Sequence, residues 1–217
     1  MKVGTDGVLL AAWVNVKGIK NILEVGAGSG VISLILAQRT ASDTKIKAVE
    51  IEKEDAQQAK ENVERSPWHN KITTYHQGFQ NFTSSKLFDL IISNPPYFNN
   101  SQLPPSLKRS QARHTGSLSY AEFISLSIQL LTPSGKLAVV LPVEEGKLFQ
   151  SLALENNLHP CRQLAFYSRK GKPQERWLVE FVFGPSELSM EKLILHAEGE
   201  DWTEDYKMLM KDFYLKL

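Results

Sequence analysis

Leu23-Glu-Val-Gly-Ala-Gly-Ser-Gly30, LEVGAGSG, closes a short apolar run that begins at Asn21 and opens a segment, Val31–Arg39, with helical spacing at Val31, Leu34 and Ile35. A strand, a glycine turn and a helix in that order let the backbone bend tightly and bring free helix-start amides close to a ligand. The glycines read G-x-G-x-G. A dinucleotide fingerprint calls for G-x-G-x-x-G/A, and position 31 is Val; a triphosphate loop calls for Gly-Lys-Ser/Thr, and Gly30 is followed by Val-Ile-Ser. The turn therefore suits a nucleoside. Glu50, at the end of the run Lys45–Val49, lies roughly 20 residues beyond the glycines, where a carboxylate can accept hydrogen bonds from both hydroxyls of a ribose.

Strand-like and helix-like segments alternate outward from this turn. Lys53–Glu64 reads as a polar helix with Ala56, Ala59 and Val63 on one face, and Ile72–His76 and Leu87–Ile92 read as strands. Ser119 and Glu122 have capping-box spacing ahead of Phe123 and Ile124, which predicts a helix ending near Pro133-Ser134-Gly135. A strand over Lys136–Leu141, a helix from Glu144 to Asn156, and strands over Leu164–Tyr167 and Trp177–Phe183 complete the pattern. Strands separated by helices call for a parallel sheet covered on both faces. The last two strands are joined only by SRKGKPQER (168–176), which suits an antiparallel hairpin. The expected fold is α/β: a doubly wound, mostly parallel, seven-stranded sheet with one antiparallel edge strand.

Composition narrows the classes. The chain has 217 residues, 42% apolar and 23% charged, with a net charge of +1, so a sizeable core is available and no global field draws the molecule onto polyanions or lipid. Any polyanion site must be local. The lone cysteine, Cys161, excludes an intrachain disulfide and reads as a buried small hydrophobe. No run approaches the roughly 20 apolar residues of a membrane span, and Met1–Leu10 lacks a signal-peptide layout, so a cytoplasmic location and no membrane partner are expected. The Asn-x-Thr triplet at Asn81 then reads as chance. The five histidines show no ligand spacing, and no metal is expected.

The strand over Leu87–Ile92 ends in Ser93-Asn-Pro-Pro-Tyr-Phe98. Two prolines remove two backbone donors and stop the ladder. In a doubly wound sheet this end shares a rim with the glycine turn and Glu50. An amine conjugated to a planar ring is a poor nucleophile because its lone pair is delocalised. The Asn94 side-chain oxygen and the Pro95 carbonyl can accept its two N–H groups and favour a tetrahedral nitrogen, and Tyr97 offers a face for stacking the ring.

The glycine turn, Glu50 and Asn94-Pro-Pro-Tyr97 together resemble the class I S-adenosylmethionine-dependent amino-methyltransferases, a Rossmann-like fold, over most of residues 20–185. Three further stretches, MKVGTDGVLLAAW (1–13), ARHTGSLSYAEF (112–123) and DFYLKL (212–217), are similar to the bacterial tRNA (adenine-N6)-methyltransferase family, which modifies adenosine 37 of a valine tRNA. The resemblance implies S-adenosyl-L-methionine as cofactor and tRNA as partner. Lys2 and Thr5, within Lys2–Asp6, would lie over the methionine end, Glu24 near its amino group and Phe79 against its adenine. Gly26, Gly28, Gly30, Glu50 and Asn94 would complete the cofactor site. Asn94, Pro95 and Tyr97 would carry catalysis. It also implies one methyltransferase domain over residues 1–217, with an N-terminal helical segment (1–19) over the cofactor, a core (20–185) and a C-terminal extension (186–217). Similar enzymes often carry Asp where this chain has Gly78, so the cofactor's adenine amine is expected to meet backbone or solvent. The chain starts abruptly at Lys-Val-Gly-Thr-Asp where family members have a further segment, and substrate contacts are expected to be missing with it.

Substrate contacts are expected from Pro96, Tyr97 and Phe98, from Lys108, Arg109, Arg113 and His114 in the long span after the turn, and from the basic hairpin turn with Arg169, Lys170 and Lys172. Solvated basic loops are the plainer alternative. Trp13, Trp68, Trp177 and Trp202 read as packing groups, and Tyr206, Leu209, Met210 and Phe213 as a docking face. Competing readings are methylation of a release-factor glutamine, methylation of guanine N2 in ribosomal RNA, and a non-catalytic cofactor- and RNA-binding module. The oligomeric state is left open, a monomer being favoured.

Overall fold

The computed structural model describes residues 4–95 and 118–214. Chain order runs α1 (Thr5–Trp13), β1 (Asn21–Val25), α2 (Val31–Arg39), β2 (Lys45–Glu50), α3 (Lys53–Glu64), β3 (Ile72–His76), a single 3-10 turn (Phe79–Asn81) and β4 (Phe88–Ser93). After the segment 96–117 come α4 (Tyr120–Leu130), β5 (Leu131–Pro142), α5 (Val143–Glu155), β6 (Leu158–Arg169), β7 (Arg176–Phe183), β8 (Ser189–His196) and α6 (Glu204–Met210).

Among the described residues the strands form one sheet in the order β3-β2-β1-β4-β5-β7-β6-β8. β1 pairs in parallel with β2 and β4, and β4 in parallel with β5. β7 runs antiparallel to both β5 and β6, so the expected hairpin forms and only β7 is reversed. The α/β doubly wound fold is as expected, with one refinement. The strand count is eight rather than seven, because Ser189–His196 pairs in parallel with β6 and becomes the outermost strand of that flank, outside the reversed β7. No strand was expected there; its apolar run, Leu193-Ile194-Leu195, is short and lies between charged residues, so periodicity is weak.

Alternate strand residues feed two cores, as the two-residue period of a strand requires. Leu90 and Ile92 join Ile22, Ile46 and Val140 under α1 and α2, whereas Ile91 joins Leu23, Val139 and Phe181 under α4 and α5. Phe79, Phe123, Phe149 and Phe181 form a chain of rings with centroids 5.6–6.1 Å apart on the second face. Tyr206 and Met210 of α6 are buried in the first, so the C-terminal helix docks through the face its spacing indicated. Trp13 is buried, and Trp68, Trp177 and Trp202 pack half-buried against the cores.

Helix ends are satisfied by specific groups. Ser119 and Glu122 form the expected capping box on α4. Arg39 donates to the carbonyls of Ala11 and Val14 at the end of α1, and Lys71 to those of Ala37 and Thr40 at the end of α2. α4 stops at Leu130, and the expected break at Pro133-Ser134-Gly135 falls inside β5 as an irregularity in its pairing with β4. Gly135 is needed there, since a Cβ would come within 2.8 Å of the Phe88 carbonyl oxygen. Cys161 is half-buried rather than buried; its thiol contacts the Glu180 carbonyl oxygen at 3.4 Å, and burial pushes its pKa up. Among the described residues no helix is long and apolar enough to cross a membrane.

Candidate active site

β1 and β4 lie side by side with Val25 opposite Ser93, so the glycine turn and Asn94 leave adjacent strands at one level. The Ser93 hydroxyl donates to the Val25 carbonyl at 2.7 Å and ties the two strand ends together. Beyond it Asn94 is half-buried and Pro95 buried. β2 neighbours β1 on the other side and ends at Glu50. Three of the expected groups are thus brought to one rim by parallel pairing alone.

The turn has the backbone its glycines permit: φ is +74° at Gly26, +54° at Gly28 and +79° at Gly30, all in the left-handed region. Gly30 also packs against α3, where a Cβ would meet Ala59 at 3.4 Å, an ordinary contact, so it is the positive φ that calls for glycine there. Asn62 of α3 donates to the Ser29 carbonyl at 2.9 Å, bracing the outer side of the turn.

Two carboxylates organise it. Glu50, 7% exposed, accepts from the Gly28 amide at 2.8 Å through Oε2 and from the Glu52 amide at 2.9 Å through Oε1. Each oxygen keeps a second lone pair for a ligand hydroxyl. Glu24 is fully buried on β1 and accepts from the Ser33 amide at 3.0 Å and from the Ser33 hydroxyl. Ser33 is the third residue of α2, whose N-cap Gly30 has no side chain, so Glu24 supplies a cap from the neighbouring strand. Its other oxygen, Oε1, has no hydrogen-bond partner among the described residues. Burial is the main cause that pushes the Glu24 pKa up to about 8, with the Glu50 charge adding to it and the Ser33 hydrogen bonds opposing. An acid with an unpartnered oxygen beside a glycine turn suits a ligand that brings a cation.

Thr5 is exposed at the start of α1, and Asp6 beside it is bridged by Arg176 at 2.8 Å. Arg176 lies opposite Pro142, at the same rim, so this ion pair pins the first turn of α1 over the β5–β7 end. Phe79 is 3% exposed and packs against Phe123, a core position that leaves its ring little to offer a ligand. Ile51, which the sequence did not single out, is 53% exposed immediately after Glu50. Its signal was an apolar residue placed directly after the acidic one.

Of the remaining candidates, Arg169 donates to the Gly199 carbonyl and to Glu200, whereas Lys170 and Lys172 are exposed in the β6–β7 turn. Because β6 runs parallel to β4, that turn projects from the rim that carries Asn94. Lys2, Pro96, Tyr97, Phe98, Lys108, Arg109, Arg113 and His114 lie outside the described residues. Among the described residues no cluster of His, Cys, Asp and Glu could hold a metal ion.

The methyltransferase small domain family matches residues 3–167. The chain is 41% identical over 217 residues to the tRNA1(Val) (adenine(37)-N6)-methyltransferase of Bacteroides thetaiotaomicron, covering 100% of this chain and 92% of that one. It is 40% identical to the enzyme of the same name from Tolumonas auensis, covering 100% and 91%. Among solved structures, a predicted O-methyltransferase from Agrobacterium tumefaciens superposes with a TM-score of 0.75 at 17% identity, over 95% of this chain and 96% of that one. The glycopeptide N-methyltransferase MtfA in complex with S-adenosyl-L-methionine gives a TM-score of 0.59 at 14% identity, over 85% and 90%. At these identities the structural likeness speaks to the fold.

Proposed function

The chain belongs to the tRNA1(Val) (adenine(37)-N6)-methyltransferase family, and on that footing we propose that it methylates N6 of adenosine 37 in a valine tRNA with S-adenosyl-L-methionine as donor. The observation that carries the reading is the junction of β1 and β4, where the Ser93–Val25 hydrogen bond sets Asn94 beside a glycine turn held open by Glu50.

The residues fit the cofactor. The positive-φ glycines leave room beside α2, Glu50 keeps lone pairs for ribose hydroxyls, and the unpartnered Glu24 oxygen suits an ammonium group. When bound, S-adenosyl-L-methionine supplies a methyl carbon on a positively charged sulfur. The protein's part is placement. The Asn94 side-chain oxygen and the Pro95 carbonyl accept the two N–H groups of the adenine amine, so that its lone pair is freed from the ring and aimed toward the glycine turn. Tyr97 stacks on the adenine. Lys170 and Lys172, with Lys108, Arg109, Arg113 and His114, meet tRNA phosphates, and the target base must leave its stack to reach Asn94. Residues 1–19 cover the cofactor, 20–185 form the catalytic core and 186–217 extend it as part of one domain.

The test is transfer of labelled methyl to tRNA lacking its own methyl groups, followed by nucleoside analysis. N6-methyladenosine at position 37 is expected. Label in ribosomal RNA or a release factor, with none in tRNA, would overturn the substrate.

A further inference from the structure

Gly78 follows β3 at the rim, next to Glu50: His76 pairs with Glu50 in register, and the Gln77 amide donates to the Glu50 carbonyl at 2.9 Å. Its backbone, φ −68° and ψ 149°, is one that any residue adopts, so the glycine is not required by conformation. The space a side chain would enter is taken. A Cβ at residue 78 would lie 3.1 Å from Gln80 Oε1 and 3.3 Å from Ile51 Cδ1. The 3-10 turn, closed by the Asn81 amide on the Gly78 carbonyl at 3.0 Å, folds Gln80 back over Gly78. Gly78 is buried beneath two groups that are themselves exposed.

Directly beyond the ribose-binding carboxylate, then, the rim presents an aliphatic plate, Ile51, with a side-chain amide at its edge. That combination matches a purine with an exocyclic amine. The flat face needs apolar contact, and a glutamine amide oxygen can accept a hydrogen bond from the exocyclic 6-amino group. A glycine at 78 leaves that position to Gln80, where a longer residue would displace it.

We propose that Gln80 is the residue that recognises the adenine base of the cofactor, its amide oxygen receiving the 6-amino group while Ile51 lies against the ring. The assignment rests on the reading of the rim as an S-adenosylmethionine site. It replaces the expectation that the adenine amine meets only backbone or solvent.

The experiment is calorimetric binding of S-adenosylhomocysteine and its 6-desamino purine analogue to the full chain and to Gln80→Leu. Gln80 is exposed, so the variant should fold, and thermal unfolding checks this. The wild type should prefer the adenine form by about tenfold, the size of one neutral hydrogen bond. Gln80→Leu should lose about that factor for the adenine form, keep its affinity for the desamino analogue and so show no preference. Equal weakening of both ligands, or no weakening of either, overturns the role of Gln80 and leaves the cofactor site standing. Failure of the wild type to bind either ligand overturns the cofactor reading and Gln80 with it.

Discussion

The Glu50 carboxylate accepts a hydrogen bond from the Gly28 amide at 2.8 Å, so the ribose-binding candidate also holds the glycine turn in shape before any ligand arrives. The proposed ribose contact would couple stability and cofactor affinity through this one side chain. Glu50→Ala leaves the Gly28 and Glu52 amides without their acceptor, and hydrogen bonds to a charged group contribute about 1.5–3 kcal/mol each. The expected result is a loss of about 2 kcal/mol or more in denaturant unfolding, with S-adenosylhomocysteine binding weakened at least about tenfold by calorimetry. Normal binding in a destabilised variant would restrict Glu50 to the turn.

Asn94 has the opposite profile. It lies past the end of β4, half-buried, and its proposed contact is with the reacting amine. Asn94→Ala should lower the methyl-transfer rate by about 100- to 1000-fold, the range seen when one preorganised polar contact is removed from an active site. Affinity for S-adenosylhomocysteine should stay within a few-fold. A rate unchanged in single-turnover measurements would remove Asn94 from catalysis.

Glu24 gives a pH signature. Its pKa rises from an ordinary 4.5 to about 8 on folding. The folded state therefore holds a proton that the unfolded state has released, and stability should fall as pH rises from about 4.5 to about 8, then level off. Glu24→Gln keeps an acceptor for the Ser33 amide and should flatten that slope by about one proton in unfolding titrations. If the cofactor's ammonium pairs with the ionised form, binding to the wild type should tighten from pH 6 to pH 8 by up to about tenfold per unit, and the variant should show no such trend.

Far from the rim, Glu180 is 1% exposed and accepts from Asn15 N at 2.8 Å, Lys136 Nζ at 3.0 Å and Arg162 Nη1 at 3.3 Å. Arg162 also stacks over Trp13 at 4.4 Å and pairs with Glu191. This network joins the end of α1 to β5, β6, β7 and β8. Removing the shared acid leaves partly buried cations, so Glu180→Ala should cost about 3–5 kcal/mol of stability. At temperatures where the variant remains folded, transfer rates should match the wild type. A loss below about 1 kcal/mol would mean the cations re-pair with Glu191.

For the β6–β7 turn the readout is salt dependence. Lys170 and Lys172 are exposed, and Arg169 is held by Gly199 and Glu200. Replacing both lysines by Ala should weaken tRNA binding and lower the slope of log affinity against log salt by about 1–2. Arg169→Ala should act on thermal stability more than on that slope. An unchanged slope in the double variant would make the turn a solvated loop.

Residue identity over LEVGAGSG and SNPPYF determined most of what this chain can do. Positive-φ turns need glycine, a strand cannot continue through two prolines, and alternation of strand and helix leaves parallel pairing as the economical way to bury both faces. Those are local constraints, readable without contacts. The tertiary structure alone decided which side chains meet. It set Ser93 against Val25, gave α2 its cap from Glu24 on another strand, turned the Phe79 ring into the core and folded Gln80 into the space above Gly78. It also recruited Ser189–His196 as an eighth strand, because the open edge of β6 supplied hydrogen-bond partners that a weak local pattern could not announce. Pairings between residues far apart in the chain leave no periodicity behind them, and burial, which moves the Glu24 proton, belongs to the assembled fold.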